Sequence, residues 1–174
     1  TRPADIVLVT HEHHDHLSPE DIARISRLDT VLVCPQSCAG KLRGDVRVVK
    51  PGDVLTVGKA TIQAVPAYNT NKPNHPQQAG NVGYIVEMDG WRVYHAGDTD
   101  LIPEMAEVAC DVALLPIGGT YTMDATEAAQ ALGMMRTRYA IPMHYGGIVG
   151  GPEDAATFRS LAPEGVEVVI PKQE

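Results

Sequence analysis

The chain is poor in aromatic side chains, in cysteine and in basic residues. Aromatics make up 5% of the 174 residues, with one Trp and one Phe, so a core must be built mainly from Val, Ile, Leu, Ala and Met. Three cysteines, an odd number, do not form a disulfide framework, and this usage is typical of the reducing cytosol. We therefore expect a cytoplasmic location.

Charge and hydropathy exclude further classes of protein. Acidic residues outnumber basic ones by 22 to 14, which gives a formal net charge of −8. Nucleic-acid phosphates are held mainly by Lys and Arg, so this balance argues against nucleic-acid binding. No stretch approaches the ~20 apolar residues that span a bilayer. The partner we expect is a small-molecule substrate, with neither nucleic acid nor membrane.

Length and hydrophobic pattern indicate the fold class. Residues 1–174 suit one domain with one sizeable core, and no linker or repeat divides them. The first half reads mostly as strands in hairpins, such as the pair flanking Asp89-Gly90. The second half alternates helix with strand, including a helix capped by Asp124 and a strand at 139–143. This mixture predicts an α/β sandwich in which helices cover sheets.

A predicted buried strand at residues 5–10 runs directly into a cluster of polar side chains. After the cluster, Ser18 and Pro19 predict the start of a helix that continues to about Leu28. Loops at strand ends are where a rigid scaffold displays reactive groups. The position of the cluster therefore favours a functional site.

The cluster itself has the composition of a metal site. Residues 11–16 contain four of the seven histidines of the chain and two acids, and imidazole and carboxylate are the ligands preferred by zinc and similar ions. Strand alternation points His11 and His13 the same way, and the following turn brings Asp15 and His16 to a neighbouring position. One segment can then serve two adjacent metals. The alternative is a solvated polar turn.

In this segment the sequence resembles the metallo-β-lactamase fold hydrolases. Their signature H-x-H-x-D-H is matched in full by His11-Glu12-His13-His14-Asp15-His16, and the strand that precedes it is also similar. The resemblance implies a four-layer αββα sandwich. Because only nine residues precede Thr10, we expect the first strands of that fold to be missing from the chain. Upstream sequence or a partner chain, as in a homo-oligomer, would then complete it.

The resemblance also implies three further ligands. The segment Ala96-Gly97-Asp98-Thr99 is similar to the family's G-D-T, whose Asp bridges two metals, and His144 matches the last metal histidine. His75 is the best match to the remaining histidine, although the family's common G-H-T-x-G spacing is absent. His95 is the competitor for that place, and we expect it to orient a ligand or contact the substrate.

Transferred to this chain, the family's pattern gives a dinuclear centre. One metal takes His11, His13 and His75; the other takes Asp15, His16 and His144; Asp98 bridges them. Zinc is the default for such ligands, and Mn or Fe fits the same set. Two ions ~3.5–4 Å apart clamp the attacking and leaving oxygens and activate a water. Asp15, Asp98 and His95 form the predicted catalytic set, with Asp15 or a nearby His handling protons.

Segments around Asp98, Ile117 and His144 resemble a compact branch of largely uncharacterised hydrolases in the family, and this branch is similar to the L-ascorbate-6-phosphate lactonase group. The branch implies a metal-dependent hydrolase acting on an ester, lactone or phosphodiester. A loop at residues 118–123 offers backbone N–H groups and the Tyr121 hydroxyl to a substrate oxygen, or is an ordinary strand-to-helix turn. The alternative function is a metal-binding module without turnover, a sensor or structural partner.

Overall fold

The computed structural model describes residues 2–171, and its strands form two sheets. The first sheet is parallel, in the order β1-β2-β3. Its strands are β1 (Ile6–Leu8), β2 (Val31–Pro35) and β3 (Asp45–Val49). Crossover connections that carry helices join these strands, as is usual for parallel pairing.

The second sheet has seven strands in the order β10-β9-β8-β7-β6-β5-β4. Strands β4 to β7 pair antiparallel, and β7 to β10 pair parallel. Its strands are β4 (Val54–Val57), β5 (Ala60–Pro66), β6 (Val82–Met88), β7 (Trp91–His95), β8 (Val112–Pro116), β9 (Tyr139–Met143) and β10 (Glu167–Val168). The predicted hairpin at Asp89-Gly90 is the β6–β7 turn, where both residues have positive φ.

Helices cover the outer face of each sheet. The α-helices are α1 (Pro19–Ile25), α2 (Gln36–Ala39), α3 (Ala125–Met134) and α4 (Pro152–Leu161). Short 3-10 helices span Gln77–Ala79 and Pro103–Glu107. None of the helices within residues 2–171 is long and apolar enough to cross a membrane.

Three apolar clusters hold these layers together. Between the sheets, Val33 of β2 packs with Ile62 of β5 and Tyr84 of β6. Outside the first sheet, Leu17 and Ile22 pack on it near α1. Outside the second sheet lies the largest cluster, to which α3 and α4 contribute Ala125, Ala128, Ala129, Leu132, Ala155 and Phe158. The expected four-layer αββα sandwich is confirmed.

Local signals predicted most elements, with differences at their ends. Ser18 caps α1 by accepting a hydrogen bond from Asp21 N–H, but the helix ends at Ile25 instead of Leu28. Asp124 and Glu127 form a capping box at the start of α3. Helix α2 was not predicted, because four residues carry too little periodicity to reveal a helix.

The two sheets approach each other where β1 ends. Val82 N–H, at the start of β6, donates to the carbonyl of Thr10. Gly97 has φ 68°, and a Cβ built on it would lie 2.9 Å from Val82 O and 3.3 Å from Thr10 Cβ. Glycine is required at this close approach, which brings the ends of β1 and β7 together.

Candidate metal centre

Backbone turns at the end of β1 direct the histidine cluster. His11 is buried, and its Nδ1 lies 2.9 Å from Thr10 Oγ1. The N–H groups of His16 and Leu17 both donate to the carbonyl of His13, at 3.0 and 2.9 Å. This turn reverses the chain, so His16 faces back toward His11, with ring centroids 4.2 Å apart.

Asp98 lies at the centre of the site, just beyond β7. Its side chain is 4% exposed. Its Oδ2 atom faces four imidazoles, at 3.3 Å from Nε2 of His144, 3.4 Å from that of His16, 3.5 Å from that of His75 and 3.9 Å from that of His11. One carboxylate thus joins residues from both sheets.

Within residues 2–171, three groups of side chains have ligand atoms that all lie within 4.8 Å of one another. They are His11, His13 and His75; His11, His16 and Asp98; and Asp15, His16 and His144. The seven residues proposed as ligands from the sequence are therefore brought together. The first and third groups are the two half-sites that the family's pattern implies, and Asp98 stands between them.

His144 directly follows β9 and has an unusual backbone. Its φ is 56°, in the left-handed region that side chains other than glycine adopt rarely. Such backbone conformations are retained when the surrounding structure determines them, and they cluster at functional sites. In His144 this backbone conformation occurs together with a side chain whose Nε2 lies 3.3 Å from Asp98 Oδ2.

His75 comes from the loop between β5 and β6, and one asparagine fixes its ring. Asn69 Oδ1 lies 2.9 Å from the N–H of His75 and 3.0 Å from its Nδ1. Because the backbone N–H can only donate, Oδ1 is the acceptor, and Nδ1 must carry a proton to donate to it as well. The lone pair of His75 is left on Nε2, which lies 3.2 Å from His13 Nδ1.

Asn69 is itself held by two further contacts. Its Nδ2 donates to Asp100 Oδ1 at 3.0 Å and to the carbonyl of Tyr121 at 2.9 Å. Asp100, 1% exposed, also accepts from Lys72 Nζ at 2.6 Å and from Thr70 N–H at 2.8 Å. Burial would raise the pKa of Asp100, but Lys72 and these N–H groups hold it below its usual value. The loop that carries His75 is thereby tied to the segment after Asp98.

Sequence reasoning placed the loop that begins at Asn69 near the site, but it assigned neither Asn69 nor Asp100 a role in holding a ligand. Asp100 follows the G-D-T segment by one residue, and an ionisable group so close to a predicted ligand was the available signal. Asn69 lies in a polar loop whose path the sequence does not reveal. Its role depends on contacts across 31 positions of the chain.

Two unpaired buried atoms that face the centre, His11 Nε2 and an oxygen of Asp98, fit a metal. Of the buried side-chain N and O atoms in the described range, four find no hydrogen-bond partner there. Three belong to the cluster, namely His11 Nε2, Asp98 Oδ1 and His144 Nδ1, and the fourth is Arg92 Nε. Leaving such groups unpaired costs about 1–3 kcal/mol each. Imidazole nitrogens and carboxylate oxygens are the donors that zinc accepts.

The electrostatics favour the ligating forms of His11, His75 and Asp98, whereas the hydrogen bond with Asp98 raises the pKa of His144. Burial, and next the neighbouring His16, lowers the pKa of His11 to about 3, and burial lowers the pKa of His75. Burial alone would raise the pKa of Asp98, but His144 and His16 hold it below its usual value. Neutral imidazole and ionised carboxylate are the forms that bind metal.

His95 stands apart from the three groups. Its Nδ1 accepts a hydrogen bond from Gly97 N–H at 3.2 Å, and burial lowers its pKa. The ring therefore contacts the backbone that leads into Asp98. This contact is compatible with the predicted orienting role, and a part for His95 in catalysis stays a prediction.

A cavity of about 280 Å³ opens over the cluster. It is lined by His13, His14, Asp15, Asn74, His75, Asp98, Tyr121, His144 and Ile148. Asp15 is 46% exposed there, and His14 is 95% exposed. The centre is thus accessible from solvent on one side and buried on the other, as a site that receives a substrate requires.

Comparisons with known proteins agree with this geometry. The family described as "Beta-lactamase superfamily domain" matches residues 1–144. The chain is 35% identical to a UPF0173 metal-dependent hydrolase of Pyrococcus furiosus, over 98% of this chain and 80% of that protein. These matches extend over nearly all of the elements described above.

Solved structures show the same architecture. A provisionally named metal-dependent hydrolase from Parabacteroides distasonis is 37% identical and superposes with a TM-score of 0.87, over 100% of this chain and 79% of that one. The metallo-beta-lactamase fold protein YhfI of Bacillus subtilis is 15% identical, with a TM-score of 0.75 over 97% and 75% of the two chains. The likeness to YhfI bears on the fold alone.

Proposed function

The chain belongs to the beta-lactamase superfamily, and on that premise we propose that it is a dinuclear metal-dependent hydrolase. The observation that carries the proposal is the convergence of four imidazole Nε2 atoms within 3.9 Å of one buried Asp98 oxygen. The substrate we propose is a small-molecule ester, lactone or phosphodiester that fits the cavity over the cluster.

Each half-site offers a suitable donor set for one divalent ion. His11, His13 and His75 would hold one ion, and Asp15, His16 and His144 would hold the other, with Asp98 shared between them. Zinc is the first choice for these donors, and manganese or iron accepts them too. When bound, such ions polarise the scissile group and make water acidic enough to attack near neutral pH.

The side chains of the chain supply position and proton transfer. Asn69 holds the His75 ring with its Nε2 lone pair toward the centre. Asp15, half exposed at the cavity, is placed to take a proton from the attacking water and pass it to the departing oxygen. Hydrolysis then forms one bond from water oxygen to the acyl or phosphoryl centre and breaks the bond to the leaving oxygen.

The test is metal content measured together with hydrolysis of a panel of chromogenic esters, lactones and phosphodiesters. We expect two metals per chain and turnover of at least one class, which Asp98→Asn abolishes. Asp89→Asn is the matched control, because it makes the same change at an exposed turn where Asn tolerates positive φ. Two bound metals without hydrolysis of any class would favour a metal-binding module and contradict the proposal.

A further inference from the structure

A second cavity adjoins the one over the cluster. It measures about 210 Å³ and is lined by Asp15, Tyr121, His144, Tyr145, Gly147, Ile148 and Val149. Asp15, Tyr121, His144 and Ile148 line both cavities. The two spaces therefore form one cleft, with the ligand cluster at one end and a largely apolar compartment at the other.

The apolar compartment is built on the loop after β9. The N–H of Gly146 donates to Val149 O at 3.0 Å, which closes a tight turn with Ile148 at its tip. Val149 packs on Gly118, where an added Cβ would lie 2.6 Å from Val149 Cγ2. The base of the turn is thus anchored, while Ile148 is 89% exposed.

Exposure of one isoleucine would by itself mean little, because single exposed apolar residues are normal. Leu28, which lines neither cavity, is 105% exposed. What distinguishes Ile148 is its place on the wall of both cavities, which Tyr121, 39% exposed, also lines. Two apolar side chains beside a reactive centre are placed to cover an apolar part of a substrate.

The cleft also lacks positive charge from side chains. No Lys or Arg lines either cavity among the described residues. Lys72, on the neighbouring loop, is paired with Asp100 at 2.6 Å, and Lys41 is paired with Glu12 at 2.8 Å. Arg159 lines a different cavity that shares only Tyr145 with this cleft. An anionic group remote from the scissile bond would find no cationic side chain here.

We propose that the cleft binds an uncharged carboxylic ester or lactone whose apolar acyl chain lies between Tyr121, Ile148 and Val149. This inference rests on the proposed hydrolase function and narrows its substrate class. Water adds to the acyl carbon, and the bond from that carbon to the alkoxy oxygen breaks. One water proton passes to that oxygen, which leaves as an alcohol from an ester or stays as a hydroxyl on the opened chain of a lactone, and the other passes to solvent. The acyl chain departs as a carboxylate.

The first test is a series of p-nitrophenyl esters with the zinc-loaded protein. From acetate through butyrate to hexanoate, kcat/KM should rise roughly threefold per methylene, the gain expected when most of each added CH2 is buried. The p-nitrophenyl half-ester of adipate has the same six-carbon acyl chain with a terminal carboxylate. It should react at least tenfold more slowly than the hexanoate ester, because its charge enters an apolar space.

Substitutions test whether Ile148 causes the dependence of kcat/KM on the length and charge of the acyl chain. Ile148→Ala should reduce the preference for hexanoate over acetate at least threefold, and Ile148→Lys should raise the rate on the adipate half-ester relative to hexanoate. Leu28→Ala, the matched control at another exposed apolar position, should preserve the wild-type ratios. A preference for the adipate half-ester, or rates independent of chain length, would overturn this inference while leaving hydrolysis intact. Failure to hydrolyse every ester, lactone and phosphodiester would overturn the proposed function together with it.

Discussion

At the scale of single residues, His75 and His95 were the two candidates in the sequence for one ligand position. His75 lies with His11 and His13, whereas His95 accepts a hydrogen bond from Gly97 N–H. We predict that His75→Ala lowers bound metal from two ions toward one per chain, and that His95→Ala retains both. Metal analysis after dialysis against metal-free buffer measures this. The assignment is wrong if His95→Ala releases an ion and His75→Ala does not.

Asn69 provides the second test at this scale. It fixes the His75 ring and is fixed in turn by Asp100, and changing such supporting groups typically costs 10–100-fold in metal affinity. Asn69→Ala should therefore weaken zinc binding by roughly this factor in competition with a chromogenic chelator. Asn71→Ala, two positions along the same loop at an exposed side chain, should bind zinc as the wild type does. Equal zinc affinity of the two variants would contradict a role for Asn69 in supporting the metal site.

At the scale of elements, strand ends determine where the ligands lie. Strands β7, β8 and β9 are parallel, so Asp98 after β7 and His144 after β9 emerge at the same edge of the sheet. The loop after β8 returns to this edge through Gly118, which packs on the backbone of His144. A Cβ on Gly118 would lie 2.5 Å from His144 O. Close packing of three loops thus sets the position of the last histidine.

Gly118→Ala should disturb this packing. Overpacking against backbone costs typically about 1–3 kcal/mol, so we expect the free energy of unfolding to fall by that amount in denaturant titrations, with weaker metal binding. Gly133 in α3 is the control, because a Cβ there meets nothing within 4 Å. Gly133→Ala should raise stability by about 0.5–1 kcal/mol, since alanine suits a helix better. Similar effects of both changes would contradict the packing account.

The elements also show which features of the fold and the site could be predicted from the sequence. Residues 11–16 identified the family's signature because the motif is contiguous, and caps such as Ser18 and Asp124 marked helix starts through local hydrogen bonds. Helix α2 was missed because it is too short for a periodic pattern. The supporting role of Asn69 was missed because its contacts with Asp100 and Tyr121 join segments distant in sequence, and only the folded chain brings these together.

At the scale of the whole molecule, the candidate centre links the two sheets. His11, His13, Asp15 and His16 follow the first sheet, and Asp98 and His144 follow strands of the second. Metal that binds both sets stabilises the folded chain relative to the unfolded one. At a free zinc concentration 100 times the Kd of one site, the ion at that site contributes about 2.7 kcal/mol. At roughly 2–4 °C per kcal/mol for a chain of this size, the melting temperature should rise by about 5–11 °C for each ion bound.

Scanning calorimetry of chelator-treated protein with and without zinc measures this shift. The variant Asp98→Asn should show a much smaller rise, whereas Asp89→Asn should match the wild type. An equal rise in Asp98→Asn would mean that zinc stabilises the chain from some other position. Such a result would show that stabilisation by zinc does not depend on the centre around Asp98.

The central claim is that two metal ions at this centre make the chain a hydrolase. The most direct measurement is a titration of metal-free protein with Zn²⁺ while ester hydrolysis is followed. We predict no turnover without metal and a rate that rises and saturates at two equivalents per chain. Full activity in the chelated protein, or saturation of binding at two equivalents with no hydrolysis of any ester, lactone or phosphodiester, would contradict the claim.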